Sequence, residues 1–146
     1  MNITFLGTSS GVPSLTRNVS ALALKLSQSS EVWLFDCGEG TQHQIIKSKI
    51  KSSQIKKIFI THMHGDHIYG LPGLLATLGL SGNSKGIEIY GPSGLRSFIN
   101  SALSSSFCKL SFPLHFVEVE NFASENKFLF ENDKIKVNCA CLKHKI

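Results

Sequence analysis

The sequence lacks the features that would place the protein in or across a membrane. Its apolar runs, such as Leu71 to Leu80, are interrupted by Pro72 and two glycines and fall short of the roughly 20 residues that a spanning helix needs. The first residues carry no cationic segment followed by a long apolar stretch, so they are expected to form a strand and not a signal peptide. We therefore expect a cytoplasmic protein with no membrane partner.

Cysteine is also scarce. The four cysteines, Cys37, Cys108, Cys139 and Cys141, form no C-x-x-C pair and show no disulfide-framework spacing, which is the pattern of reduced thiols in a reducing compartment. Cys139 and Cys141 are two apart in a strand-like run and would share one face, so small buried side chains are favoured over a metal role. We assign the cysteines no function.

Acidic residues are outnumbered, since 15 lysines and arginines oppose 10 aspartates and glutamates and leave a formal charge of +5. Such a charge would attract a polyanion at long range and in a salt-sensitive manner. Much of the excess comes from lysines around one predicted helix end, which could equally form a solvated face. Charge alone therefore leaves nucleic-acid binding open. These lysines are Lys47, Lys49, Lys51, Lys56 and Lys57.

The remaining composition is that of an ordinary folded domain over residues 1–146, with 42% hydrophobic residues and no internal repeat, low-complexity tract or long linker. Segments rich in β-branched and aromatic residues alternate with helix-like stretches, which predicts a single mixed α/β unit. The front strands follow one another closely, so the first sheet should begin as an antiparallel meander. Strands are predicted near 2–6, 19–26, 31–35, 56–60, 87–90, 114–119 and 134–141, and helices near 41–50, 68–79 and 92–104.

The last part of the chain is less regular. The segment from Asn121 to Asp133 is polar, acidic and weakly patterned, and we interpret it as a surface excursion or hairpin between the last two strands. A strand-like run then leads into Lys143-His144-Lys145-Ile146 with no closing helix and no polar tail. Such an end is expected of a cut chain.

The chemically informative stretch is 58–67, where an apolar strand runs directly into three histidines and an aspartate. Histidine and carboxylate are donors that suit zinc and neighbouring divalent metals. In an extended loop His62 and His64 project the same way and can bind one ion, and Asp66 and His67 follow at the turn into a helix and can bind another. A surface loop of solvated histidines is the alternative, but packing alone hardly explains this density. The spacing predicts a dinuclear metal site.

Two glycine-containing stretches accompany the histidines. Gly65 falls where the backbone is expected to turn sharply to present the donors, which glycine does at low steric cost. Residues 7–13 form a loop of glycine, serine and threonine after the first strand, and its backbone amides could approach an anion closely. As an isolated pattern this loop is a turn more often than a phosphate site.

These motifs together carry a family resemblance. The pattern T-H-x-H-x-D-H at 61–67 resembles the metallo-β-lactamase superfamily, and the continuation H-G-D-H-I-Y-G-L-P-G-L-L at 64–75 resembles its ribonuclease Z version. Two further stretches agree, F-L-G-T-S-S-G-V-P at 5–13 and F-D-C-G-E-G-T-Q at 35–42. The resemblance implies an αββα sandwich, of which this chain would be only the first half, with its mixed β-sheet and flanking helices.

The resemblance also implies ligand roles. His62 and His64 would bind the first metal together with His144 from a later histidine motif, and Asp66 and His67 would bind the second. Asp66 would also accept the proton of the attacking water. The cofactor implied is zinc, two ions per complete site, with other divalent metals as alternatives. His43 and His115 lack such context and are expected at a helix surface and at the edge of the core.

Around these ligands the resemblance implies supporting residues. Asp36 would hydrogen-bond the second ring nitrogen of a ligand histidine, although a helix cap is an alternative interpretation of its position. Ser9, Ser10 and Arg17 would lie on the rim of the active site.

The implied reaction is endonucleolytic removal of 3′ trailers from precursor tRNA. Members of the family are longer and supply a bridging aspartate, two more histidines and a tRNA-binding arm from a second half that is absent here. We therefore expect weak or single-metal occupancy and poor activity from this chain alone, and a sheet face without its partner sheet. A homodimer, or a chain that supplies the missing half, would be its protein partner.

Two other functions stay open. One is another metallo-β-lactamase-fold phosphodiesterase or ester hydrolase, acting on a cyclic nucleotide, a sulfate ester or a small phosphodiester, because the metal motif does not encode the substrate. The other is a non-catalytic truncated remnant.

Overall fold

The fold rests on strands and short helices that alternate along the chain. The structure is a computed structural model that describes residues 1–27, 29–119, 127–132 and 134–142. Its strands are β1 Asn2–Gly7, β2 Ala21–Lys25, β3 Val32–Phe35, β4 Ile55–Phe59, β5 Ile87–Gly91, β6 Leu114–Glu118, β7 Lys127–Glu131 and β8 Lys136–Cys139. Its helices are α1 Thr41–Lys47, α2 Gly65–Ile68, α3 Leu71–Leu80 and α4 Leu95–Ser105, with a 3₁₀ turn at Ser52–Gln54.

A six-stranded mixed sheet in the order β1-β2-β3-β4-β5-β6 forms the frame. The pairs β1–β2 and β2–β3 are antiparallel, and the pairs from β3 to β6 are parallel. Parallel neighbours need a crossover, and α1, then α2 with α3, then α4 provide the three crossovers. The predicted mixed α/β fold and its antiparallel start are confirmed.

The parallel pairing of β3 with β4 positions the chemistry. Phe35 is paired with Phe59, so the residues that follow these two strands leave the same edge of the sheet side by side. The backbone contact continues beyond the strands, because the Cys37 amide donates to the His67 carbonyl at 2.7 Å and the Gly70 amide donates to the Cys37 carbonyl at 2.9 Å. The segment after β3 is therefore fixed against α2, which carries the second half of the histidine motif.

One face of the sheet packs against the helices. Leu34, Ile58 and Ile89, from the three central strands, are fully buried there. Burial of such aliphatic side chains contributes about 1.5–3 kcal/mol each. Their partners on α3 and α4 are Leu71, Leu74, Leu75, Leu78, Leu95, Ile99 and Leu103.

The opposite face is aromatic and is partly covered. Trp33, Phe59 and Tyr90 pack against Phe130 of the β7–β8 hairpin, with ring centroids 5.5, 6.4 and 5.5 Å away respectively. The expectation of an uncovered face is therefore wrong at the centre of the sheet. At the β1 edge the expected uncovered face is present, since Phe5 is 69% exposed.

Several local predictions differ from the structure. Part of the segment interpreted as a surface excursion or hairpin is the strand β7, paired antiparallel with β8; residues 120–126 and 133 lie outside the described residues. Helix α2 occupies the predicted turn into the helix near 68–79, and α3 follows as a separate helix. Helix α4 begins at Leu95 and not at residue 92, because Gly94 has a left-handed backbone with φ +88. Cys139 is half-buried and Cys141 is exposed, since β8 ends at Cys139, so the prediction that both are buried is wrong.

None of the helices in the described ranges has the length and apolarity to cross a membrane.

Close backbone approach predicts that a side chain at Gly38 destabilises the fold. A Cβ at Gly38 would lie 2.2 Å from the Asp66 carbonyl oxygen and 2.5 Å from Val19 Cγ2. We expect Gly38→Ala to lower the free energy of unfolding by about 1–3 kcal/mol, the usual effect of overpacking. Gly73→Ala is the control: it lies exposed in α3, its nearest neighbour is Gln42 Oε1 at 3.7 Å, and it should stabilise by up to about 1 kcal/mol. Urea unfolding of the two variants measures both effects, and equal midpoints would contradict the packing described.

A polar pair lies on the aromatic face. In this pair, Lys57 Nζ lies 2.5 Å from Glu88 Oε1. The Tyr90 hydroxyl also donates to Glu88 Oε2 at 2.5 Å. On its other side, Lys57 Nζ lies 4.8 Å from the centre of the Phe130 ring. Burial raises the pKa of Glu88, but the hydrogen bonds from Lys57 and Tyr90 and the nearby positive charges outweigh it, so the pKa is lowered.

This lowered pKa predicts an acid-dependent stability. A carboxylate whose pKa is lower in the folded state stabilises the fold above its unfolded pKa, and the contribution is lost as pH falls through the folded pKa. We expect Glu88→Gln to lower the melting temperature at pH 7 and to match the native chain in acid. The effect should stay below about 1 kcal/mol because Glu88 is half exposed. Glu118→Gln, an exposed carboxylate on the next strand, is the control, and a Glu88→Gln difference that persists in acid would contradict the pair.

Candidate metal centre

The three motif histidines converge where the chain leaves β4. The ring centroid of His62 lies 4.5 Å from that of His64 and 4.0 Å from that of His67. The Ile60 amide still donates to the Tyr90 carbonyl at 2.8 Å, so the loop begins on the end of the sheet. His64 then stands, with extended backbone, at the residue before α2. The rings are therefore held together by a strand end and a helix start.

The possible donor atoms lie in two pairs. His62 Nε2 is 3.0 Å from His64 Nδ1, and His67 Nε2 is 3.4 Å from Asp66 Oδ2. A tetrahedral zinc ion with donors about 2.0–2.1 Å away holds neighbouring donors roughly 3.3 Å apart. Each pair therefore has the donor types and the spacing of two neighbouring zinc ligands.

Neither pair is a complete site in the part of the chain that the structure describes. No group of three or more histidine, cysteine, aspartate and glutamate side chains among those residues is arranged to hold a metal ion. His144, the fifth predicted ligand, lies outside the described residues. The donors therefore fit zinc in type and spacing, and each pair supplies two of the about four donors that a zinc ion binds.

Asp36 links the end of β3 to both parts of the motif. Its Oδ2 lies 2.8 Å from His67 Nδ1, and its Oδ1 accepts a hydrogen bond from the Thr61 amide at 2.8 Å. A carboxylate beside Nδ1 keeps the proton on that nitrogen, which leaves the lone pair of His67 on Nε2, the atom that faces Asp66. No side chain caps α1, which begins after Gly40, so the alternative helix-cap interpretation of Asp36 does not describe its bonds.

The backbone of Asp36 is itself unusual. Its φ is 56°, in the left-handed region that a residue other than glycine rarely enters and that aspartate tolerates better than most. The Asp36 amide donates to the Phe59 carbonyl at 2.8 Å, which extends the β3–β4 contact by one residue. The turn then aims the carboxylate at Thr61 and His67 instead of along the strand.

The glycine loop after β1 reaches the same place. The Gly11 amide donates to Asp66 Oδ2 at 2.9 Å. Sequence predicts that amides of this loop approach an anion, and in the structure the anion is a carboxylate of the protein. Burial raises the pKa of Asp66, but the hydrogen bond from the Gly11 amide and the electrostatic attraction of the neighbouring His67 and His62 side chains outweigh it and hold the pKa below its usual value.

The predicted rim residues lie in this loop. Ser9 Oγ donates to the Val12 carbonyl at 2.6 Å, and the Ser10 carbonyl accepts from the Val12 amide at 2.7 Å. Arg17 lines a polar cavity of about 450 Å³ between the loop and α1, together with Lys47. A larger cavity of about 680 Å³, lined by residues such as Met1, lies at the other end of the strands.

Two features of the motif differ from expectation or were overlooked. Gly65 lies where the chain turns from the extended His64 into α2, as expected, but its backbone is not left-handed; a Cβ there would lie 2.1 Å from Tyr69 Cε2. The sequence predicts no individual role for Thr61 or Gly11, although they lie in the motifs at 61–67 and 5–13; Thr61 hydrogen-bonds Asp36, and the Gly11 amide hydrogen-bonds Asp66. His43 is exposed on α1, as expected of a helix-surface residue. His115 is exposed on β6 and not at the edge of the core, so that expectation is wrong; β6 is the edge strand of the main sheet.

Comparison with known proteins agrees with this geometry. Residues 1–145 match the family model described as anti-Pycsar protein Apyc1. Over all 146 residues the chain is 94% identical to ribonuclease Z of Prochlorococcus marinus strain MIT 9312 and 64% identical to that of strain NATL1A. It spans about half the length of these relatives, 47% and 46%.

Solved structures show the same fold. The short form of human tRNase Z superimposes with a TM-score of 0.90 at 43% identity, and the match covers 100% of this chain and 62% of that one. A metallo-beta-lactamase fold protein from Bacillus subtilis superimposes with a TM-score of 0.62 at 16% identity, covering 93% and 55%, and shows the fold alone. The chain therefore belongs to the family described as anti-Pycsar protein Apyc1, has the metallo-β-lactamase fold, and resembles the amino-terminal part of ribonuclease Z as its motifs predict.

Proposed function

We propose that this chain is the amino-terminal part of a zinc-dependent endoribonuclease that removes 3′ trailers from precursor tRNA. The observation that carries the proposal is the pairing of His62 with His64 and of Asp66 with His67 at the shared edge of β3 and β4. The names and high identity of the ribonuclease Z relatives support the substrate class. The formal charge of +5 supports an anionic substrate.

In this proposal the metal ligands are His62, His64 and His144 for one ion and Asp66 and His67 for the other. Bound zinc would supply a hydroxide near neutral pH and neutralise the charge of a phosphodiester. Asp66 is ionised at neutral pH, because its pKa is lowered, and it can accept the proton of the attacking water. Other divalent metals could occupy the same donors.

Asp36 and Thr61 set the histidine rings in this scheme. The Thr61 hydroxyl lies 3.0 Å from Asp36 Oδ1 and 2.9 Å from His62 Nδ1. A hydroxyl has one hydrogen, so donation to Asp36 leaves it to accept from His62 Nδ1, and the lone pair of His62 is then on Nε2. Asp36 thus orients His67 directly and His62 through Thr61.

The chain by itself should be a weak enzyme. Five protein donors are too few for two zinc ions that each need about four. We infer weak or single-metal occupancy. The protein partner is either a second polypeptide that supplies the missing half or, in a homodimer, a second copy of this chain. A cytoplasmic location follows from the tRNA substrate.

A second candidate is another metallo-β-lactamase-fold phosphodiesterase, acting for example on a cyclic nucleotide. The observation that favours it is the family model, which matches residues 1–145 under a name other than ribonuclease Z. A third, the non-catalytic remnant, predicts that no zinc is held at all.

Substrate preference separates these candidates. The chain should be mixed with a polypeptide corresponding to the remaining half of its 94% identical relative and offered precursor tRNA and bis(p-nitrophenyl) phosphate. We expect zinc-dependent release of the 3′ trailer that leaves a 3′-hydroxyl, little cleavage by the chain alone, and none when the chain carries Asp66→Ala. Cleavage of the small ester without trailer release would favour the second candidate.

The Asp36 contacts predict an effect on zinc affinity. Asp36→Asn keeps the side-chain size and tolerates the left-handed backbone but removes the charge that holds His67. We expect zinc affinity to fall about tenfold to hundredfold, as when comparable outer partners of metal ligands are removed. Competition with a chromophoric zinc indicator measures it. His43→Ala, an exposed histidine on α1, should leave the affinity unchanged, and equal affinities for Asp36→Asn and the native chain would refute the role of Asp36.

A further inference from the structure

The loop of residues 8–18, between β1 and β2, contains none of the proposed metal ligands, yet its tip contacts one of them. The Gly11 amide and Asp66 Oδ2 are 2.9 Å apart and 55 positions apart in sequence. The same carboxylate oxygen lies 3.4 Å from His67 Nε2. The amide therefore holds the oxygen that faces the neighbouring donor.

The rest of the fold fixes the position of this amide. At the base of the loop the Ser9 amide donates to the Asn18 carbonyl at 2.8 Å, and nearer the tip the Ser14 amide donates to the Arg17 carbonyl at 2.8 Å. Asn18 Nδ2 donates to the Glu39 carbonyl at 2.7 Å, which ties the base of the loop to the segment before α1. Gly11 thus sits on a loop closed by its own bonds.

A backbone amide suits this task. It does not titrate in the physiological range, it cannot compete with the carboxylate as a metal ligand, and it has no rotamer by which to swing away. Its hydrogen bond to an ionised carboxylate is of the stronger, charge-assisted kind. Gly11 has a φ of +69, so glycine is the residue that adopts this backbone without steric strain.

We propose that Gly11 is a positioning residue: its amide fixes the Asp66 carboxylate in the orientation that pairs Oδ2 with His67 Nε2. The proposal deepens the proposed function, since it takes Asp66 as a metal ligand. It makes the 8–18 loop part of the metal centre although the loop supplies no ligand.

Two glycines allow a matched test. Gly11 and Gly82 have φ values of +69 and +75, and a Cβ at either would meet nothing within 4 Å. Proline at either position removes an amide donor and excludes the left-handed backbone, so Gly11→Pro and Gly82→Pro should disturb their loops comparably. Of the two amides, that of Gly11 donates to Asp66, whereas that of Gly82 donates to the Gly79 carbonyl.

Cobalt(II) binding to the whole chain, followed by its visible absorption, is the first measurement. We expect Gly11→Pro to weaken cobalt binding by about tenfold or more and to change the absorption spectrum, as the loss of an outer partner of a ligand does. Gly82→Pro should bind as the native chain does, and its circular dichroism should match that of Gly11→Pro. Equal affinities and spectra for the two variants would overturn the proposal.

A second measurement needs no metal. In the metal-free chain, hydrogen exchange of the Gly11 amide should be several-fold faster in Asp66→Ala than in the native chain, because one hydrogen bond is lost. Unchanged exchange would overturn the proposal. If the native chain binds no cobalt, the proposed function fails, and the exchange result alone then decides whether Gly11 holds Asp66.

Discussion

The carboxylate of Asp36 is the contact on which the arrangement of the candidate metal centre depends. It joins the end of β3 to the loop after β4 through the Thr61 amide and to α2 through His67. Its own position follows from the parallel pairing of the two strands, because the Asp36 amide continues that pairing onto Phe59. The ordering of the histidines is therefore a consequence of sheet topology, transmitted by one side chain in a left-handed backbone.

Asp66 is the second carboxylate of this site, and a backbone amide holds it. Asp36 lies inside and accepts several hydrogen bonds, whereas Asp66 is held from outside by the Gly11 amide. One carboxylate thus orients imidazoles and the other, in the proposed function, meets the metal and the proton. The roles of the two carboxylates differ because their environments differ. Asp36 is surrounded by hydrogen-bond donors, whereas Asp66 directs its Oδ2 towards His67 Nε2.

The distribution of the aromatic residues explains how half the length of a ribonuclease Z relative forms an ordered core. The hairpin of β7 and β8 covers Trp33 and Phe59 through Phe130, so the centre of the second sheet face is packed. Phe5 on β1 stays largely exposed. The other face is buried beneath the helices, and the crossovers on this face carry the histidine motif.

Sequence alone determined the kind of fold and the candidate donors, because strand periodicity and the motif at 61–67 are local patterns that can be recognised without knowledge of contacts. It also identified the loop at 7–13 and Asp36 as accessory, through motif resemblance and not through geometry. It missed the strand β7, whose weak pattern is stabilised by pairing with β8, and the close approach of the Tyr69 ring to Gly65. Only the tertiary structure decided that Asp36 Oδ2 contacts His67 Nδ1 and that the Gly11 amide contacts Asp66. The physical reason is that these contacts join residues 31 and 55 positions apart in the sequence.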